Sequence, residues 1–291
     1  MARTFRTRFA PSPTGFLHIG HAYAAFQAFR GAEEAAGECL LRIEDIDQTR
    51  CRREYDAAIT EDLEWLGFSW PQPVRRQSDH YSDYVGALRQ LDAQGLVYRC
   101  FLTRKQLTAD LERRGIAKSP AGETPYPGPV AVMSVEEAEE RAEAGEAYAW
   151  RLSLDRCRDV LGADWTRLAF METGDAPGIS VGETLAHPDW LGDVVLARKD
   201  SPTSYHLAVC HDDALQEISH VVRGADLYHA THIHVLLQRL LGWPQPVYRH
   251  HRLLLDRDGR KFSKSDRSKT LRSLREEGMT PETLFDQFPE P

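Results

Sequence analysis

The chain has 291 residues, 42% of them hydrophobic, and a formal net charge of −8, which allows a substantial core in one large or two modest domains and excludes a general affinity for polyanions, so any nucleic-acid contact needs a local basic face. No stretch reaches the roughly 18 uninterrupted apolar residues of a membrane span, and the N-terminus MARTFRTRFAPSP has no apolar signal core. Five cysteines without close pairs argue against a disulfide framework, so a cytoplasmic globular protein, off the membrane and monomeric, is expected.

Residues 4–10 alternate and carry β-favouring Phe and Thr, which reads as a strand; 11–21 form a stiff turn and 22–36 a helix. ECLLRIEDID (38–47) reads as a strand ending in acids, and REYDAAITEDLEWLGF (53–68) as an amphipathic helix closed by Gly67, giving a β-α-β order. Residues 78–95 read as a further helix, capped by Ser78 or Asp79 and stopped by Gly95, before the short strand LVYRC. The pattern breaks from 101 to 200, where a charged helix (103–115), a Pro/Gly loop, an acidic helix (134–146) and strands such as AYAWRLSL and DVVLARK point to an inserted α+β domain. The α/β core, begun in 1–100, resumes in 201–243 with the helix SYHLAVCHDDALQ, the strand EISHVVRG and the helix ADLYHATHIHVLLQRLLG. Residues 244–291 hold an exposed basic loop and two short helices.

In an open parallel sheet the ligand crevice lies at the carboxyl ends of the strands, where a helix N-terminus offers N–H groups and partial positive charge to an anion. Pro11 and Pro13 stiffen such a turn, Gly15 permits a conformation or approach that a side chain would obstruct, and His18 and His21 fall i,i+3 on one helical face. Imidazole can donate to charge developing on a phosphoryl oxygen. Taken alone, the same residues fit a structural turn with two surface histidines.

The string APSPTGFLHIGH closely resembles the first signature of class I aminoacyl-tRNA synthetases, and its APSPTG lead-in looks like the glutamyl branch. That family carries a second, lysine-bearing signature far downstream; KFSKS, Lys261 to Ser265, follows about 240 residues on, after Asp256-Arg257-Asp258-Gly259. Two signatures in the right order make coincidence a poor account. The resemblance implies a Rossmann-like parallel-sheet catalytic core with the inserted α+β domain and a short C-terminal helical segment. It implies ATP and Mg²⁺ as cofactors, with Pro11, Gly15, His18, Gly20, His21 and Lys264 at the nucleotide. His18, His21, Lys261 and Lys264 take catalytic roles, the lysines neutralising the pyrophosphate leaving group.

At the strand end LRIEDID, Glu44 and Asp45 stand beside the crevice, and in the glutamyl family the residue matching Glu44 takes the substrate amine. A dicarboxylic substrate also needs fixed cations, and arginine binds a carboxylate bidentately. Arg8 and Arg223 match family positions, as does Tyr205; with Ser12 they complete the implied substrate set. Surface arginines are the alternative for Arg8 and Arg223, and solvated acids for Glu44. An excess of fixed cations favours glutamate over glutamine.

Only 26 residues follow Ser265, room for two short helices and not for the helical anticodon-reading domain of ordinary glutamyl-tRNA synthetases. The chain thus resembles the truncated paralogues called glutamyl-Q tRNA(Asp) synthetases, which attach glutamate to the queuosine base in the anticodon loop of tRNA(Asp). That implies L-glutamate and queuosine-bearing tRNA(Asp) as partners. A relative of the standard enzyme charging a 3′ end, or an inactive RNA-binding paralogue, stays open.

The family often carries a zinc site, Cys-x-Cys followed by Tyr-x-x-x-Cys, and here Cys100 and Tyr126 remain while Leu102 and Val130 fill the other places. Aliphatic side chains provide no ligand, so no metal is expected, and the loop should be held by packing and its prolines. His232 and His234 lie about 200° apart on a helix and cannot share a metal; with His229 they read as surface or capping residues. His211 to Asp213 read as a positioning element beside the pocket. Arg75-Arg76, Arg104-Lys105, Arg113-Arg114 and Arg267 to Arg275 are candidate RNA contacts.

Overall fold

The computed structural model describes residues 4–129, 133–198, 200–254 and 269–289. It begins with strand β1 (Arg6–Phe9), helix α1 (Ile19–Glu34), β2 (Glu38–Ile43) and α2 (Arg53–Trp65). β3 (Arg75–Arg76) leads through a 3₁₀ turn into α3 (Tyr81–Ala93) and β4 (Val97–Cys100). The expected cap of α3 is absent: Ser78 lies inside that turn and gives its N–H and hydroxyl to Asp45 instead, at 2.9 and 2.7 Å.

The stretch after Cys100 carries α4 (Arg104–Arg113), α5 (Val135–Glu143), β5 (Ala149–Leu152) and α6 (Leu154–Leu161). It continues through β6 (Ala169–Glu172), β7 (Gly182–Leu185) and β8 (Val195–Arg198). Then come α7 (Tyr205–Leu215), β9 (His220–Gly224), α8 (Ala230–Leu241), β10 (Val247–His251), α9 (Leu271–Glu276) and α10 (Pro281–Phe285).

β1 pairs in parallel with β2, and β2 with β3; β9 pairs in parallel with β10, and β10 with β6. The two halves meet where the Ser219 N–H donates to the Arg6 carbonyl at 2.9 Å and the Arg6 N–H to Ser219 Oγ at 2.8 Å. The order is therefore β3-β2-β1-β9-β10-β6, with β7 antiparallel at the edge. This is the α/β parallel-sheet core expected from the sequence, and its order reverses between β1 and β9, where such sheets hold their ligands. Residues 101–200 contribute twice: β5 and β8 join β4 in a separate antiparallel sheet, while β6 extends the parallel one.

Strand alternation sorts the core into two layers. Phe9, Leu41, Ile43 and Val222 pack with α1, α2 and the C-terminal helices, whereas Leu40, Val221 and Tyr248 pack with α7 and α8. The residues between them in sequence, Arg8, Arg42, Glu44, Arg223 and His250, share the α7–α8 side. The charged side chains of Arg8, Arg42, Glu44 and Arg223 thus enter the interior on one face, near the carboxyl ends of the strands.

Candidate active site

A cleft of about 490 Å³ opens at those strand ends, bounded by the α1 and α7 N-termini. Arg8, Pro11, Ser12, His18, Gly20, His21, Glu44, Tyr205 and Arg223 all line it, while Gly15 sits in the bend rather than on the wall. Gly224 also lines it, and there a Cβ would approach Asp226 Oδ1 to 2.5 Å, so any side chain would have to displace the Asp226 carboxylate.

Two buried chains of polar contacts set the charges. In the first, Arg8 grips Asp213 with Nε on Oδ1 (2.8 Å) and Nη2 on Oδ2 (3.3 Å). Arg42 places Nη1 on the same Oδ1 at 2.8 Å and on Gln216 at 3.0 Å, and turns Nη2 and Nε to Glu44 Oε1 at 2.9 and 3.3 Å. Burial works against ionisation of Asp213, yet the two guanidiniums outweigh it and hold its carboxyl below the usual range. For Glu44 burial prevails over Arg42 and Arg8, and its carboxyl is raised. Asp212, the neighbour, ties α7 to Arg75, Gln77 and Tyr84; burial is overcome there by His211 and Arg42, and its carboxyl falls to about 2.

The second chain surrounds Arg223, which is 6% exposed. Its guanidinium donates to Tyr205 Oη (3.2 Å), Thr231 Oγ1 (2.7 Å) and His250 Nε2 (3.0 Å), and lies 3.3 Å from His234 Nδ1. His250 Nδ1 in turn donates to Glu172 Oε2 at 2.6 Å, so an inserted strand, β6, braces the site. Burial lowers His250 to about 4 and His234 well below its ordinary value, with Arg223 pushing the same way. The cage is therefore uncharged at neutral pH. Among the described residues Arg223 makes no ion pair.

His18 and His21 meet with ring centroids 3.8 Å apart, but not on one helical face. Helix α1 starts at Ile19, and His18 is its N-cap, in extended backbone, because its Nδ1 accepts the Gly20 N–H (3.1 Å). Reciprocally, His21 Nδ1 accepts the His18 N–H at 3.2 Å. A neutral imidazole that accepts at Nδ1 carries its proton at Nε2. Lys261 and Lys264 lie outside the described residues. On either side of that segment, Leu253 and Leu254 line the cleft, and Thr270 bridges to His18.

A family model for the catalytic domain of class I tRNA synthetases (E and Q) matches residues 4–289. The chain belongs to that family. It is 43% identical to the glutamyl-Q tRNA(Asp) synthetase of Rhodobacter capsulatus over 94% of this chain and 96% of that protein. It is 34% identical to the glutamate–tRNA ligase of Aquifex aeolicus over 97% of this chain, but spans only 56% of that enzyme. Among solved structures it is similar to a glutamate tRNA ligase from Elizabethkingia meningosepticum, in complex with its amino acid, with a TM-score of 0.74 and 26% identity over 98% of this chain and 60% of that one. The likeness to class I synthetases expected from the two signatures is borne out, and the chain is a ligase of that kind.

Elsewhere in this class I synthetase some expectations change. Asp45 leaves the cleft, since adjacent strand residues face opposite ways; it pairs with Arg76 (2.9 Å) on the wall of a second cavity. His232 and His234 are not surface residues: they are 0% and 2% exposed, because α8 is covered on both sides. They do point apart, His234 to Arg223 and His206, His232 to His187 and Trp190. Arg75 and Arg76 are spent on Asp83, Asp212, Asp45 and Asp56, and Arg275 on Glu61. Cys100 and Tyr126 are buried and Leu102 exposed, while Val130 lies outside the described residues. Their loop is tied down by the Asp193 N–H on the Tyr126 carbonyl (2.7 Å) and by Arg114 on the Gly128 carbonyl (2.6 Å). Among the described residues no group of three or more His, Cys, Asp or Glu is placed to hold a metal, and no helix is long and apolar enough to cross a membrane. Asp213, expected as a positioning element, holds Arg8 and Arg42, whereas Arg42, Glu172 and His250 are site residues that motif reading misses, since their partners are remote in sequence.

Proposed function

We propose that the chain activates L-glutamate with ATP as glutamyl-adenylate and transfers the glutamyl group to the queuosine base in the anticodon loop of tRNA(Asp). The observation that carries the amino acid is the charge pattern of the cleft. On the α7–α8 face Arg8 and Arg42 are balanced by Asp213 and Glu44, and Arg223 adds one buried cation in a neutral cage. Glutamate, with two carboxylates and one ammonium, offers groups opposite in sign to Arg223, Arg8 and Glu44, all of which line the cleft. Arg223, Tyr205 and Arg8 would take its carboxylates and Glu44 its ammonium, with Ser12 at the rim.

The α-carboxylate then attacks the α-phosphate of ATP, held by the turn that carries Pro11 and Gly15 and by Gly20 in the first turn of α1. Magnesium would arrive on the phosphate oxygens and offset their charge. The Nε2–H groups of His18 and His21 donate to oxygens that gain charge, and Lys261 and Lys264 take the departing pyrophosphate. Catalysis rests on positioning and charge. The choice of acceptor is supported by the 43% likeness, over 96% of its length, to a relative named for glutamyl-Q tRNA(Asp).

Glutamate-dependent ATP–pyrophosphate exchange without RNA should be present, with glutamine at least about a hundredfold poorer; no exchange would sink the activation step. Labelled glutamate should pass to tRNA(Asp) only when queuosine is present, and should still do so after the 3′-terminal adenosine is removed. The likeness to glutamate–tRNA ligases supports a second reading, charging of a 3′ end, and dependence on that adenosine would select it.

A further inference from the structure

We infer that Arg42, which is fully buried and outside the cleft wall, is a positioning residue that aims Glu44 Oε2 at the substrate ammonium. The inference rests on the glutamate reading above. Both Arg42 donors that reach Glu44 converge on Oε1, at 2.9 and 3.3 Å, so the carboxylate is fixed by one oxygen and the other is left for the ligand. Arg42 is 0% exposed and the Glu44 side chain 10% exposed, so water contributes little to stabilising the carboxylate.

The guanidinium is itself locked. Asp213 Oδ1 accepts from Arg42 Nη1 and from Arg8 Nε, each at 2.8 Å, and Gln216 holds the same Nη1 at 3.0 Å. One carboxylate oxygen thus sets the spacing between the arm that meets the ammonium and the arginine that meets a carboxylate. Among the described residues, the charged and titratable groups facing Glu44 are Arg42 from β2, Arg8 from β1, and Asp213 and Tyr205 from α7. Of these only Arg42 hydrogen-bonds it. Without Arg42 the buried carboxyl would hold its proton to higher pH.

The test compares wild-type, Arg42→Gln and Arg42→Lys in ATP–pyrophosphate exchange, reading KM for glutamate across the pH range, with glutarate, which lacks the ammonium, as a competitive probe. Arg42→Gln should raise KM about tenfold or more at neutral pH, and the loss should shrink as pH rises and Glu44 ionises. Glutarate inhibition should stay within about threefold of wild-type, with kcat little changed. Arg42→Lys keeps the charge and should recover part of the loss; it carries the same comparison if the glutamine variant does not fold by circular dichroism. Equal weakening of glutamate and glutarate at every pH would overturn the inference, as would an unchanged KM. Absence of exchange in the wild-type would instead strike the glutamate reading itself.

Discussion

A guanidinium buried without a carboxylate is costly unless its donors are met by neutral acceptors and the charge is met by a ligand. Arg223 has the first condition in Tyr205, Thr231, His234 and His250. Arg223→Gln should therefore raise KM for glutamate by about a hundredfold, more than it changes Tm, because the loss falls on a charge that folding leaves unpaired; a fall in Tm with KM unchanged would show the cation to be structural. His18 does two jobs that can be separated. His18→Asn retains an acceptor for the Gly20 N–H, so Tm should change little, whereas loss of the Nε2–H donor should lower kcat about a hundredfold. His18, His21, Glu44 and Arg223 were all legible from the motifs they stand in. Arg42 was not, although it follows Leu40 and Leu41 in a strand buried on both faces, where a charged side chain must have partners. Its partner Asp213 is 171 residues away, and no local spacing announces a pair at that distance.

At the scale of elements, the strands and helices of the core follow from alternation and helical periodicity: α2, α3, α7 and α8 lie within the stretches that read as helices, while α1 starts at Ile19, three residues before the stretch 22–36, because His18 caps it. β6 and β10 are harder to see. VYRHH is rich in polar groups for an interior strand, and it is stable there because His250 gives its imidazole N–H to Glu172 while its backbone N–H reaches the other oxygen of the same carboxylate, at 3.0 Å. The Gly174 N–H also donates to Glu172, at 2.8 Å, and a Cβ at Gly174 would come within 2.1 Å of the His250 carbonyl, so the chain must turn there without a side chain. Glu172→Ala would strand these donors in the interior at a cost of about 1–3 kcal/mol, visible as a lower Tm; Glu172→Gln, which can still accept, should lose less. A Tm unchanged in both would mean that β6 is not held by this contact.

For the molecule as a whole, acid should be destabilising well before the carboxylates titrate. His232 and His250 are both 0% exposed, and burial depresses them to about 3 and about 4, with His234 lower still than its ordinary value. Each stays neutral when folded but takes a proton when unfolded near pH 6.5, so the unfolded state binds more protons between those values. The stability they contribute is complete above about pH 6.5 and declines as pH falls toward about 4, by up to about 1.4 kcal/mol per pH unit for each. Melting curves at neutral pH and near pH 5 test this, and coincident transitions would rule it out. Sheet order was the global property least available from sequence, because β1 and β9 are brought together by contacts such as Arg6 with Ser219, more than two hundred residues apart. The neutral cage around Arg223 has one more consequence. A pocket whose specificity consists of an unanswered positive charge can be silenced from within: an acid grafted beside it, as in Thr231→Asp, would be a tethered counter-ion that no dilution removes, and the protein would fold around its own inhibitor.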